Sequence, residues 1–200
     1  MRNSPDPSER RPRMADGMSA EPQNDLVVLL DDHDQPCGTA PRARVHTDRT
    51  PRHLAFSCYL FDGHGRVLLT RRALAKATWP GTWTNSCCGH PRPGEPGEDA
   101  VRRRVGEELG AALDRLELVL PDFGYRAVDA SGIVENEHCP VWAGYLAGTL
   151  RPDPAEVCET AWVAWADLVR LAASAPALIS PWCALQVPLL DEAMRKVGAA

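Results

Sequence analysis

Long apolar runs are missing from this chain. Nothing approaches the roughly 18–20 consecutive apolar residues that a bilayer-spanning helix needs. The opening MRNSPDPSERRPR also lacks the apolar centre of a secretory signal, so a cytoplasmic protein is expected. Excess positive charge is absent too: 22 Lys and Arg stand against 27 Asp and Glu, for a net charge of -5. A nucleic-acid partner would call for clustered surplus cations, so any phosphate site must be local. The seven cysteines are an odd number scattered through apolar surroundings, unlike the dense even framework of a small secreted domain, and free thiols are expected. The chain has no GxGxxG stretch, nothing like a flavin site and no internal repeat.

What is present suits one substantial core, because 44% of 200 residues are apolar and this length favours a single domain. Residues 1–24, rich in Pro, Ser, Arg and Asp, cannot bury enough surface to offset ordering entropy and are expected to form a disordered leader. The domain is expected over 25–200. DLVVLLDDHDQPCG reads as a strand and hairpin, and LAFSCYLFDGHGRVLLTRR places two strand-like runs around the turn signal DGHG. EDAVRRRVGEELG, residues 98–110, has helical charge spacing, with Arg103/Glu107 and Arg104/Glu108 at i, i+4 and a stop at Gly110. Strands are expected again in LELVL, FGYRAV, ENEHCPVWAGYLAG and ETAWVAWA. A closing helix should begin at Pro181, and Pro188 should kink or interrupt it. The mixture implies an α+β or α/β sandwich fold.

Two constellations could carry chemistry. In Glu135-Asn136-Glu137, side chains two apart on a strand share a face, so two carboxylates repel unless a cation or proton neutralises them. His46 and His53 flank a Pro-containing turn, and His90 lies in TNSCCGHP. Three imidazoles with Glu135 and Glu137 would make a mixed N/O site suited to a divalent first-row metal. His33, His64 and His138 lack such company and are assigned to surface or turns.

The segment Gly89 to Ala111 resembles a Nudix box, with Gly89, Glu95, Arg103, Glu107, Glu108 and Gly110 in register. Arg104 stands where that pattern has Glu. The resemblance implies helical carboxylates that hold Mg²⁺ on a diphosphate, with Glu108 still able to do so and Arg104 attracting phosphate. HLAFSCYLF, LLTRRALAKATWPGTWTNSCCGHP, YRAVDASGIVENEHCPVW and SPW, in that order, resemble the type I isopentenyl-diphosphate isomerases, from about Leu26 to Ala193. That resemblance implies a Nudix fold with a mixed β-sheet flanked by helices in an α/β/α sandwich, its core at about 51–185. It further implies Cys88 and Glu137 as catalytic groups on opposite faces of the substrate's allylic unit. Tyr125 should hydrogen-bond the catalytic Glu, and Trp182 should face a carbocation. His46, His53, His90, Glu135 and Glu137 should bind Mn²⁺ or Zn²⁺. Glu108, assisted by the backbone carbonyl of Cys88, should bind the substrate's Mg²⁺, and Arg42, Arg72, Lys76 and Arg104 should bind its phosphates. Cys87 is expected only to pack, and the other tryptophans, Trp79, Trp83, Trp142, Trp162 and Trp165, to be core. A monomer with a small-molecule diphosphate substrate and no flavin is expected. Nudix hydrolysis of a nucleoside diphosphate derivative and a non-catalytic metal-binding domain are the alternatives.

Overall fold

The computed structural model describes residues 25–196. The expected leader, residues 1–24, lies outside them. Strands β1 (Leu26–Leu30) and β2 (Pro36–Pro41) form the first antiparallel hairpin, and the short helix α1 (Arg42–Val45) follows. Next come β3 (His53–Leu54), β4 (Phe56–Phe61), β5 (Arg66–Arg72), β6 (Trp83–Thr84) and β7 (Cys87–Gly89). Between β4 and β5, the DGHG turn is closed by the Asp62 carboxylate, which accepts from the backbone N–H of His64 and Arg66. Helix α2 (Gly97–Leu109) precedes β8 (Ala112–Leu120), β9 (Gly124–Val128), β10 (Val134–His138), β11 (Val141–Ala147) and β12 (Val157–Ala164). Helices α3 (Trp165–Ser174) and α4 (Pro181–Lys196) complete the order.

The strands make two sheets rather than one. The first runs β2-β1-β3-β10-β9; the second runs β12-β5-β4-β11-β8, with β6 on β5 and β7 on β4. Both are mixed, since β3 is parallel to β10 and β4 to β11 while the other pairings are antiparallel. ENEHCPVWAGYLAG is therefore not one strand. It breaks at Cys139-Pro140, where proline has no N–H to donate, and continues from the first sheet into the second. The β3–β4 stretch makes the same crossing alongside it, with Ala55 N–H donating to His138 O and Ser57 N–H to Pro140 O. The seam between the sheets is thus bridged by two parallel strands.

Strand β4 is buried at every position, and its alternation feeds two apolar layers. Phe56, Cys58 and Leu60 pack with Val101, Val105 and Leu109 of α2. Tyr59 and Phe61 face Leu168 of α3 and Trp182, Val187 and Leu190 of α4. Helices thus cover both faces of the second sheet, the expected α/β/α sandwich. Pro188 lies inside α4, which is neither interrupted nor ended there. The ring is exposed, while Gln186, Val187 and Leu190 on either side are buried and hold the helix through it. No helix among the described residues is long and apolar enough to cross a membrane.

Helix α2 stops where the backbone turns left-handed at Gly110, whose φ is 58° and whose N–H donates to Gly106 O. A Cβ at Gly110 would stand 2.6 Å from the Arg151 carbonyl oxygen. Gly110→Ala should therefore destabilise the protein by at least about 1 kcal/mol, read as a lower urea midpoint. An unchanged midpoint would show that this helix end is not sterically fixed.

Candidate active site and metal centre

Register sets the first half of the site. Glu137 on β10 stands beside Tyr125 on β9 and His53 on β3, a row across three strands. Glu135 shares its face. Asn136 points the other way and donates to Thr50 O, and His138 faces Asp34 at 3.3 Å. His138 is thus a partly buried strand residue rather than a surface or turn one. His46 follows α1 and His90 follows β7, so the three imidazoles meet with ring centroids 5.1–5.6 Å apart. His46, His53, His90 and Glu137 each aim one ligand atom into a group in which all lie within 4.8 Å of one another.

These atoms make few bonds of their own. His53 Nε2 and His90 Nε2 lie 3.5 and 3.4 Å from Glu137 Oε1, and His46 Nε2 lies 2.9 Å from Glu135 Oε2. Yet all three Nε2 atoms and Glu135 Oε2 are buried without a hydrogen bond. Orphaned buried polar atoms are costly, and lone pairs converging on one point suit a cation. His53 Nδ1 lies 2.9 Å from Pro51 O, which fixes the proton on Nδ1 and leaves Nε2 free to ligate. Burial alone would raise the Glu137 carboxyl, but the two imidazoles outweigh it and hold the acid ionised. Burial also opposes protonation of His53, where Glu137 nevertheless raises the pKa; at His90 burial prevails and lowers it. The donor set fits a divalent metal ion.

The second half comes from β7. Adjacent strand residues point apart, so Cys87 enters the layer under α2 while Cys88 turns to the other side. The Cys88 thiol donates to Asn85 Oδ1 at 3.2 Å and lies 3.6 Å from Ser57 Oγ, its partner across β4. Burial pushes that thiol up to about 11. Trp182 is buried, while the other five tryptophans are only partly so. Its indole contacts Trp79 and Tyr125 at 5.4 and 5.8 Å between centroids, and the Arg72 guanidinium sits 5.7 Å over the ring. Tyr125 lines the cleft against Trp182, but no hydrogen bond joins its hydroxyl to Glu137, unlike the expectation; its neighbours are the stacked ring of Phe123 and the tilted ring of Trp182.

Both halves open on one cleft of about 450 Å³, within the roughly 300–1,000 Å³ usual for small-molecule sites. Every candidate residue read from the sequence lines it except His53, which is fully buried behind. The cations have resting partners. Arg42 pairs with Asp25, Arg72 donates to Thr78 O, Lys76 pairs with Glu156, and Arg104 pairs with Glu107, Glu108 and Glu156. Burial raises the Glu108 carboxyl despite Arg104 beside it. Cys87 does more than pack: its thiol donates to Glu108 Oε2 at 3.4 Å and lies 3.8 Å from Cys88 O, so the Glu108 carboxylate and the Cys88 carbonyl meet at one sulfur.

Three lining or buried groups carry no sequence signal of their own. Glu156 lies far from the box in sequence and joins the site only because α2 and the loop before β12 meet there. Arg92 lines the cleft with its Nε buried and without a hydrogen bond. Asn85 is a fully buried amide inside the quoted TNSCCGHP.

Known proteins resemble both the sequence and the fold. The NUDIX domain family model matches residues 51–183. Isopentenyl-diphosphate Delta-isomerase of Mycolicibacterium vanbaalenii is 60% identical over 175 residues, covering 86% of this chain and 96% of the relative. The protein of the same name from Frankia alni is 56% identical over 177 residues, covering 88% and 91%. Among solved structures, DR0079 from Deinococcus radiodurans shares the fold with a TM-score of 0.62 at 21% identity, covering 82% of this chain and 98% of that one. The MutT NUDIX hydrolase of Burkholderia pseudomallei gives 0.53 at 25% identity, covering 68% and 96%.

Removing an imidazole should weaken metal binding by at least the roughly 10–100-fold that loss of an outer partner costs. His53→Ala, titrated with Mn²⁺ or Zn²⁺ by calorimetry, should show that loss, while His138→Ala, outside the cluster, should bind like the wild type. Unchanged affinity in His53→Ala would remove it from the ligand set.

Proposed function

Because the chain belongs to the NUDIX-domain isopentenyl-diphosphate Delta-isomerases, we propose that Cys88 and Glu137 are the proton-transfer pair that interconverts isopentenyl and dimethylallyl diphosphate. The single observation that carries these roles is the meeting of a half-buried thiol from one sheet and a buried carboxylate from the other at one cleft. Moving the double bond requires a proton at C4, a tertiary cation at C3, and loss of a proton from C2. A thiol pushed up to about 11 and a carboxylate held ionised start with one proton between them. That is the balance a transfer on and off the carbon skeleton needs.

An alkene is a poor base and a carbocation is quenched by water or trapped by a nearby nucleophile, so the cleft must shield both. Trp182 supports this reading, since an indole face stabilises a cation by roughly 2 kcal/mol or more when desolvated without bonding to it. Tyr125, packed on Trp182, is assigned to the same wall.

His46, His53, His90, Glu135 and Glu137 would hold Mn²⁺ or Zn²⁺, and Glu108 with the Cys88 carbonyl would hold Mg²⁺ brought by the diphosphate. Bound there, the ions would neutralise carboxylate and phosphate charge and tune the acidity of Glu137. Arg42, Arg72, Lys76 and Arg104 are assigned to the diphosphate, which must loosen their present carboxylate partners. Arg104 also argues against the hydrolase alternative: it replaces a box carboxylate and binds two of the remaining ones. We further propose that residues 25–200 act as one monomeric cytoplasmic catalytic domain with a small-molecule substrate and no flavin. Seven free cysteines suit a reducing compartment.

Purified protein with Mg²⁺ should convert isopentenyl diphosphate to dimethylallyl diphosphate without flavin, NADPH or phosphate release. Cys88→Ala should cost roughly 10²–10⁴ in kcat, the range of a general acid or base. Cys87→Ala should stay within about tenfold of wild type, because it touches Glu108 and not the carbon skeleton. Equal losses would show that the wrong thiol is assigned.

A further inference from the structure

Asn85 is completely buried between β6 and β7, and its backbone carbonyl and both polar atoms of its carboxamide are engaged. Its backbone carbonyl accepts from Thr70 Oγ1 at 2.9 Å. Both Nδ2 hydrogens go to backbone carbonyls, Cys58 O at 3.1 Å and Cys87 O at 2.9 Å. Carbonyls only accept, so the amide cannot be flipped, and Oδ1 must face the other way. There it receives three donors: Thr84 Oγ1 at 2.8 Å, Trp182 Nε1 at 2.9 Å and Cys88 Sγ at 3.2 Å. An indole N–H only donates, which fixes the same orientation independently. Thr84 Oγ1 is in turn 2.7 Å from Ser180 Oγ at the start of α4, so the helix that carries Trp182 is tied to the same point.

We propose that Asn85 is a positioning residue whose single carboxamide oxygen sets the Trp182 indole and the Cys88 thiol relative to one another. This rests on the roles given above to Cys88 and Trp182. Trp182 comes from α4 and Cys88 from β7, 94 positions earlier in the chain, and no other described side chain bonds to both. Only an amide meets both demands at this place. A carboxylate would set oxygens against Cys58 O and Cys87 O, and an apolar residue would orphan the buried indole N–H. Arg42, Lys76 and Arg104 bond elsewhere, and Arg72, which lies over Trp182, is held by its own bonds to Thr78, so loss of Asn85 should leave substrate capture largely intact and disturb the chemical step.

The test compares wild type with Asn85→Ala by steady-state kinetics on isopentenyl diphosphate and by ¹H–¹⁵N spectra of the indole groups, with Trp182 identified by the signal that Trp182→Phe removes. A misplacement near 1 Å can cost about 10²-fold, so kcat should fall by roughly 10–100-fold. KM should stay within about threefold. The Trp182 Nε1–H signal should move upfield while the other indole signals hold. A folded Asn85→Ala with wild-type kcat, or with an unmoved Trp182 signal, would overturn the proposal. In the wild type the Trp182 signal should lie downfield as a hydrogen-bonded indole. Its coincidence with free indole would overturn the proposal even if Asn85→Ala did not fold. A wild type without turnover would strike the isomerase reading instead, and the spectra would still decide the role of Asn85.

Discussion

A carboxylate buried where two sheets meet must keep company with positive charge, and Glu137 sets that condition for this fold. It is 7% exposed, with Glu135 at 6% on the same strand face, and burying two like charges without a counter-charge is prohibitively costly. His46, His53 and His90 come from three separate places, the end of α1, strand β3 and the end of β7, and aim lone pairs at the point where a bound cation would answer that demand. The row Tyr125–Glu137–His53 anchors the cluster on the first sheet, and the paired crossings of β3–β4 and β10–β11 hold it beside the second, from which His90 comes. A one-residue slip of β10 would turn both acids away from the imidazoles, so the charge requirement and the strand register reinforce each other.

The second sheet supplies what the first lacks. Its central strand β4 is buried on both faces, one against α2 and the other against α3 and α4, which makes it a rigid backing for β7. Cys87 and Cys88 inherit those two faces. One thiol reaches Glu108 among the cations, and the other reaches Asn85 and the cleft. Gly89 lets the layers close, since a Cβ there would stand 2.9 Å from Arg104 Cγ. The cleft therefore has a charged end near α2 and an aromatic, thiol-bearing end under α4, a polarity that matches a substrate with a diphosphate head and a hydrocarbon tail.

Features set by short-range chemistry are the ones legible in the sequence. The DGHG turn, the i, i+4 charges and Gly stop of α2, and the shared face of Glu135 and Glu137 all follow from neighbours within a few residues, and the structure has each. Features set by long-range pairing are not legible. Strands β6 and β7 have two and three residues, too few for a period, and exist because β5 and β4 offer them edges. The break at Pro140 shows only once the two sheets are known. Pro188 misleads because local propensity yields to the buried residues beside it, and His138 because Asp34 across the turn is invisible from its own neighbours. In the site, residue types and motif order point to the charged and thiol groups. Glu156, Arg92 and the hub oxygen of Asn85 depend on contacts that no spacing announces.

The central claim is that protons pass to and from the substrate's carbon skeleton between the two walls of this cleft. It is tested most directly by running the reaction in D₂O and examining the recovered diphosphates by NMR. Solvent deuterium should appear in a methyl group of dimethylallyl diphosphate, with Cys88→Ala slowing the incorporation by the same roughly 10²–10⁴-fold. Product formed without deuterium, or release of orthophosphate or pyrophosphate in its place, would contradict it.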